Sequence, residues 1–337
     1  MSGSVRILVG VDGSAGSEAA LRWALREAAR WSAATGGADQ GSAPGVTALL
    51  AWTAGRLPVS VARAVGQSDE DVLVKSATEL LERAIGRVGE PSPPVTLRRA
   101  VVQDEPVSAL IAAAGAADMV VVGERGHGPM HRLTAGSVSQ AVVSHAGVPV
   151  VVVRPPKDGE TPRPDDSHQD DGHQDDSRPV VVGVDGSDLS LAALRWAAHA
   201  AAVRRVQLRV VHAWGGFDPS YAEVLVGAQG SLVRQAEDVL ERAVKIGLDG
   251  APELNVDSVV SPDSAMRALM RESREAQLLV VGSRGLGGFA RLMLGSVSHQ
   301  CVLHAACDVA VVRSGLPIPE GTADRSAGRR AEAAASA

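Results

Sequence analysis

Gly123-Glu124-Arg125-Gly126, nine residues and then Gly136-Ser137 make a spacing with a chemical use. A glycine-rich turn lets backbone N–H groups approach an anion closely, because glycine tolerates positive φ and carries no Cβ. A helix opening at Gly136-Ser137 would add free N–H groups and the positive end of its dipole. The Ser137 hydroxyl can either cap that helix or donate to a phosphate oxygen. The whole set returns as Gly282-Ser283-Arg284-Gly285, nine residues and Gly295-Ser296. Arg125 with Arg132, and Arg284 with Arg291, put two cations in each segment as phosphate partners. An acid precedes each set: Val9-Gly10-Val11-Asp12-Gly13-Ser14 returns as Val182-Gly183-Val184-Asp185-Gly186-Ser187. Asp12 and Asp185 could each cap the helix that follows, hold an adenosine moiety, or bind a Mg²⁺ that bridges phosphates. A lone Gly-x-x-Gly says little. The same glycines at the same spacing, twice, beside the same acid, point to two nucleotide sites.

Other chemistries lack their residues. The chain has no Gly-x-x-x-x-Gly-Lys-Ser/Thr loop, so a Walker-type motor is excluded. No second acid beside the cradle and no Ser-His-Asp or metal-ligand set recurs in both copies, so no catalytic residue is assigned. His127 and His131 belong to the first copy alone, with Leu286 and Ala290 in their places in the second, and read as solvated loop residues. Such a site should bind well and turn over slowly. A nucleotide-loaded regulator is the favoured reading, and a slow ATPase or autokinase the alternative.

The elements that position these residues are those of an open, mostly parallel α/β sheet with helices on both faces. In the first copy the pattern predicts strands over Val5–Asp12, Val46–Trp52, Val95–Val102, Met119–Gly123 and Val148–Arg154. Helices are expected over Ser17–Arg30, Glu70–Val88, Pro106–Ala114 and Ser137–His145. The strands are apolar runs without strict alternation, as strands covered on both faces should be. The second copy repeats the elements from Val180 to Arg313. Ligands of such sheets sit beyond the carboxyl ends of the strands, where Asp12, Gly123, Asp185 and Gly282 fall. Asp12 and Asp185 are 173 residues apart, but the glycine loops only 159, so the first copy is longer by 14. Most of the excess lies in Ala33–Gly45, read as a surface loop.

Composition agrees with two ordinary domains. The 45 % apolar content is mainly Ala, Val and Leu with 2 % aromatics, which suits buried strands and small-residue helix faces. No apolar stretch is long enough to span a bilayer, and the start lacks an apolar signal core, so a cytoplasmic protein without membrane contact is expected. Net charge −6 argues against nucleic acid as a partner. Cys301 and Cys307 read as reduced, buried residues. Domains are expected at residues 1–154 and 179–315. Residues 155–178 carry Asp165-Asp166, Asp170-Asp171, Asp175-Asp176, His168 and His173, and read as a mobile, self-repelling linker without metal-binding geometry. Residues 316–337 read as a frayed tail.

These motifs resemble the universal stress protein family in its tandem, actinobacterial form. The family's Gly-x-x-Gly, nine residues, Gly-Ser/Thr stands complete in both copies, and the strand-one Val-Asp-Gly-Ser fits as well. The resemblance implies ATP binding, through Asp12, Ala51, Gly123, Gly126, Gly136 and Ser137 in one copy. In the other the implied residues are Asp185, Ala213, Gly282, Gly285, Gly295 and Ser296, where Ala51 and Ala213 act through their backbone. It also implies a sheet order of 3-2-1-4-5, a protein partner of unstated identity, and dimerisation by pairing of last strands. Here the two copies could form that pair within one chain, over Val148–Val153 and Asp308–Arg313, with a homodimer of whole chains as a further assembly. Asp308 stands where the first copy has Pro149, at a strand start where an exposed carboxylate is tolerable.

Overall fold

The computed structural model describes residues 5–34, 44–53, 70–126, 136–155, 176–216, 222–251, 253–286 and 293–313. The first half runs β1 (Arg6–Gly10), α1 (Ala15–Ala34), β2 (Gly45–Trp52), α2 (Glu70–Val88) and β3 (Thr96–Gln103). It continues with α3 (Pro106–Ala114), β4 (Met119–Gly123), α4 (Ser137–His145) and β5 (Val150–Val153). The second half repeats the order with β6 (Val180–Gly183), α5 (Asp188–Arg204), β7 (Leu208–Ala213), α6 (Ala222–Gly247) and β8 (Val256–Ser261). Its last elements are α7 (Ala265–Glu272), β9 (Leu278–Gly282), α8 (Ser296–His304) and β10 (Asp308–Val312).

Each half has the expected order 3-2-1-4-5, but the two sheets are not separate. They join into one ten-stranded sheet, β3-β2-β1-β4-β5-β10-β9-β6-β7-β8. The seam is the anticipated pairing of last strands, antiparallel, with Val152 opposite Val309, Val151 opposite Ala310 and Val150 opposite Val311. Pairing consumes the edge that a short apolar strand would otherwise leave open. Within each half every neighbouring pair is parallel. Strand direction therefore reverses at the seam, and the carboxyl ends of the two halves lie at opposite ends of the sheet.

Both faces are covered. Side chains alternate between two apolar layers that run through both halves: Ile7, Val9, Val151 and Ala310 belong to one, and Leu8, Val150, Val152 and Val309 to the other. Burying each such Val or Leu contributes about 1.5–3 kcal/mol. On the first face α1 meets α5 across the seam. Glu27 forms an ion pair with Arg204 at 2.7 Å, with 1 % and 2 % of the side chains exposed. The guanidinium also lies 5.5 Å from the Trp23 ring, and Trp31 packs on His199 with ring centroids 4.3 Å apart.

Three expectations need correction. Helix α1 continues past Arg30 to Ala34, because Trp31 and Ser32 pack inward at the seam, so Ala33 and Ala34 are helix and Gly45 is strand; residues 35–43 lie outside the described residues. Asp308 is buried, not exposed. Its Oδ1 accepts the Arg154 N–H at 2.9 Å, and its charge is offset by attraction to Arg178 and Arg204. The far end of the expected linker is anchored. Arg178 pairs with Asp176 at 2.5 Å, and Gln277 Nε2 donates to the carbonyls of Asp176 and Arg178 at 2.8 and 2.7 Å. That pairing offsets the charge of Asp176, one of the acids on which self-repulsion rested. The other Asp pairs, His168, His173 and the tail fall outside the described residues, as do His127, His131, Arg132 and Arg291. Cys301 and Cys307 are buried free thiols.

Candidate functional site

In each half the site begins where the first strand runs out. After β1 the chain turns through Gly13 at φ 81°, and after β6 through Gly186 at φ 85°, a region that side chains disfavour. The turn folds a serine back on the acid. Ser14 donates to Asp12 Oδ1 from its N–H at 3.0 Å and its hydroxyl at 2.5 Å; Ser187 does the same to Asp185 at 3.0 and 2.6 Å. A second serine completes the brace: Ser17 N donates to Ser14 Oγ and Ser190 N to Ser187 Oγ, both at 3.2 Å. The cap of α5 is thus Ser187, and Ser14 plays that part for α1. Asp12 and Asp185 are not helix caps. They are carboxylates whose Oδ1 is held by the serine brace.

The other oxygen meets the glycine loop. Leu286 N donates to Asp185 Oδ2 at 2.8 Å. Burial pushes the Asp185 carboxyl up, but the hydrogen bonds from Ser187, Leu286 and Ser190 outweigh it and hold it below the usual carboxylate range. A β-carbon on Gly126 would come closer than 3.0 Å to Asp12 Oδ2, and one on Gly285 equally close to Asp185 Oδ2. Those glycines are required by the acid itself.

Gly123 and Gly282 have a packing role that their spacing did not suggest. Neither has positive φ; a Cβ on Gly123 would stand 2.6 Å from the Gly16 carbonyl oxygen, and one on Gly282 3.0 Å from that of Leu189. They let the first helix start directly against the fourth strand. Gly136 and Gly295 are the caps of α4 and α8, without a side-chain bond at the cap, so Ser137 and Ser296 do not cap; both are exposed in the first turn. The first bond inside each helix is Gln140 N to Gly136 O, or His299 N to Gly295 O. The N–H groups ahead of it have no acceptor within the helix, as at any helix start. Gly136 N in turn donates to Glu124 O at 2.8 Å and Gly295 N to Ser283 O at 2.7 Å, which ties helix start to glycine loop.

Ala51, one residue before the end of β2, and Ala213, the last of β7, lie on the strands beside β1 and β6, at the same end of each half's strands as their acids. Arg125 is exposed at the loop, 3.9 Å from Glu124, and Arg284 is half-buried in the equivalent place. Glu124 itself is buried and turned inward to Arg154 at 2.6 Å, so it presents no unbalanced charge to the loop. Sequence reasoning missed the serine brace. The signal was present, since Ser14 and Ser17 recur at Ser187 and Ser190 at the spacing of their acids. It also missed Ser139 and Ser298, which reach back under the loops to Gly136 O at 2.8 Å and Gly282 O at 2.6 Å.

The family model described as Universal stress protein family matches residues 4–154 and 177–313, one match per half. The chain belongs to the universal stress protein family. Universal stress protein Rv2005c of Mycobacterium tuberculosis is 35 % identical over 302 residues, covering 89 % of this chain and 94 % of that one. Universal stress protein Rv2623 of the same organism is 33 % identical over 315 residues, covering 93 % and 98 %. Both likenesses extend over two halves, so the tandem arrangement is shared. Among solved structures, a universal stress protein from Archaeoglobus fulgidus aligns with TM-score 0.57 at 20 % identity, over 92 % of this chain and 98 % of that one. That likeness concerns the fold. Among the described residues no helix is long and apolar enough to cross a membrane, and no three His, Cys, Asp or Glu side chains are grouped to hold a metal ion.

Proposed function

We propose that this universal stress protein is a nucleotide-loaded regulator that holds one ATP in each half and, when loaded, changes its affinity for a protein partner in the cytoplasm. One observation carries the reading: a braced carboxylate, a glycine loop and an open helix start meet at the carboxyl end of the sheet in both halves. Asp12 and Asp185 would accept from ribose hydroxyls, since a carboxylate has about four acceptor positions and the braces fill only some of them. The helix starts at Gly136-Ser137 and Gly295-Ser296 would take phosphates, with Arg125 and Arg284 as cationic partners. Backbone at Ala51 and Ala213 would meet the base. A Mg²⁺ would arrive on the phosphates, because the engaged Asp oxygens leave the chain few ligands to offer.

Asp185 also favours binding over hydrolysis, because a carboxylate held below its usual range is a weak proton acceptor. Equilibrium dialysis of nucleotide-stripped protein against ATP tests the reading. Two ATP per chain is the expected result; none, or one, contradicts it. Single-turnover hydrolysis then separates a regulator from a slow ATPase or autokinase.

A further inference from the structure

The last strands carry more than the seam. Each is followed by an arginine, Arg154 after β5 and Arg313 after β10, and the two are 159 residues apart like the rest of the late repeat. Arg154 is 9 % exposed. Its Nη1 donates to Glu124 Oε1 at 2.6 Å, inside the glycine loop of its own half. Its Nη2 donates across the seam to Val302 O at 2.5 Å and reaches Cys301 O at 3.4 Å, in the last turn of α8. Arg313 mirrors this arrangement. Its Nη2 lies 2.9 Å from Met293 O, two residues ahead of Gly295 in its own half. The same nitrogen lies 2.9 Å from Val143 O and against Ser144 O, in the last turn of α4 across the seam.

The sheet explains why one side chain can reach both places. The antiparallel seam puts the carboxyl end of β10 beside the amino end of β5. Helix α4 starts at the carboxyl end of β4 and ends ahead of β5, so it crosses from the end of the sheet where the first site lies to the end where the second lies. Helix α8 makes the reverse crossing. A guanidinium bonded to the last carbonyls of a helix is favourably placed against its negative dipole end.

We infer that Arg154 and Arg313 couple the two sites, each tying the loop of one site to the far end of the helix whose start forms the other. The inference rests on the proposed nucleotide reading of those sites. An anion that fixes the start of α4 fixes, through its nine residues, the carbonyls that hold Arg313, and through Arg313 the approach to Gly295. Ordering done by the first ligand is not repeated by the second, so binding is positively cooperative. The two arms differ in kind. Arg154 has a carboxylate partner in Glu124, whereas repeat two has Ser283 in that place and Arg313 bonds only to carbonyls among the described residues.

Calorimetric titration of the full chain with ATP, before and after substitution of the arginines, tests this. The parent should bind the second ATP about fivefold or more tightly than the first, the lower end of ordinary coupling. Arg313→Gln should keep two sites and lose the difference. Since Arg154→Gln strands a buried acid, the second variant is Arg154→Gln combined with Glu124→Gln, with circular dichroism as a check on folding; it should give the same loss. Two independent sites in the parent, or cooperativity unchanged in a folded Arg313→Gln, would overturn the coupling while leaving the nucleotide reading intact. No ATP bound by the parent removes that reading and the coupling with it.

Discussion

Asp12 Oδ2 occupies the space that a β-carbon on Gly126 would need, and Asp185 Oδ2 stands in the same relation to Gly285. The acid at the end of the first strand and the second glycine of the loop are therefore one unit, assembled across a hundred residues of chain or more. Ser14 and Ser187 keep the carboxylates from turning away.

Gly126→Ala should accordingly weaken ATP at the first site by about ten- to a hundredfold, the equivalent of about 1–3 kcal/mol of overpacking. Gly285→Ala should do so at the second. Gly147→Ala, where an added β-carbon meets nothing within 4 Å, is the control and should bind like the parent. Dialysis at about ten times the parent's Kd should count clearly fewer than two ATP for each loop variant; a full two there would refute the steric argument.

The Glu27–Arg204 pair should be a sensitive point of stability. Glu27→Ala leaves a buried guanidinium without its counter-charge, which costs about 3–5 kcal/mol. Replacing both, with Glu27→Leu and Arg204→Met, should recover most of the loss, since buried pairs are commonly matched by apolar residues of similar volume. Urea denaturation midpoints would show it. If Glu27→Ala melts with the parent, the pair contributes nothing.

His199 should make the fold sensitive to mild acid. Burial pushes its imidazole below the usual 6.5, and the nearby Glu27 offsets only part of the effect. The unfolded chain then takes up a proton before the folded one does. Stability is full above about pH 6.5, declines as pH falls from there toward the lower folded value, and levels off beneath it. His199→Phe keeps a ring against Trp31 but cannot titrate. Its melting temperature should change less than the parent's between pH 7.5 and 5.5, and parallel curves would count against His199 as the cause.

Thiol chemistry should be silent in the folded state. Burial raises the Cys301 thiol to about 12, despite attraction from Arg154, and Cys307 is 1 % exposed. Neutral-pH labelling should therefore need unfolding, at a rate that follows denaturant. Rapid modification of native protein would show that the α8 face opens.

Much of this fold was legible because its short apolar runs stop at glycine. Met119–Gly123 and Ser137–His145 lie where the pattern put them, as do the helices Glu70–Val88 and Pro106–Ala114. Patterns of local spacing say nothing of what arrives from the other half. The last turn of α1 depends on Trp31 meeting His199, and Asp308 is buried because arginines distant in sequence answer its charge. At the candidate site, repetition pointed to residues that the fold brings together at the strand ends, but not to all the packing duties they carry. Gly123 and Gly282 serve helix–strand contact, and Ser137 caps nothing. A repeated motif marks a place; the neighbours decide what each atom there does.

The reversal of strand direction between Val151 and Ala310 has a consequence for any molecule that would recognise the two sites. A flat surface that settles over the mouth of one site has the other mouth pointing away from it. Two partners that each recognise a filled site would be held at opposite ends of one continuous sheet. Geometry of that kind suits a spacer between two molecules better than a clamp around one.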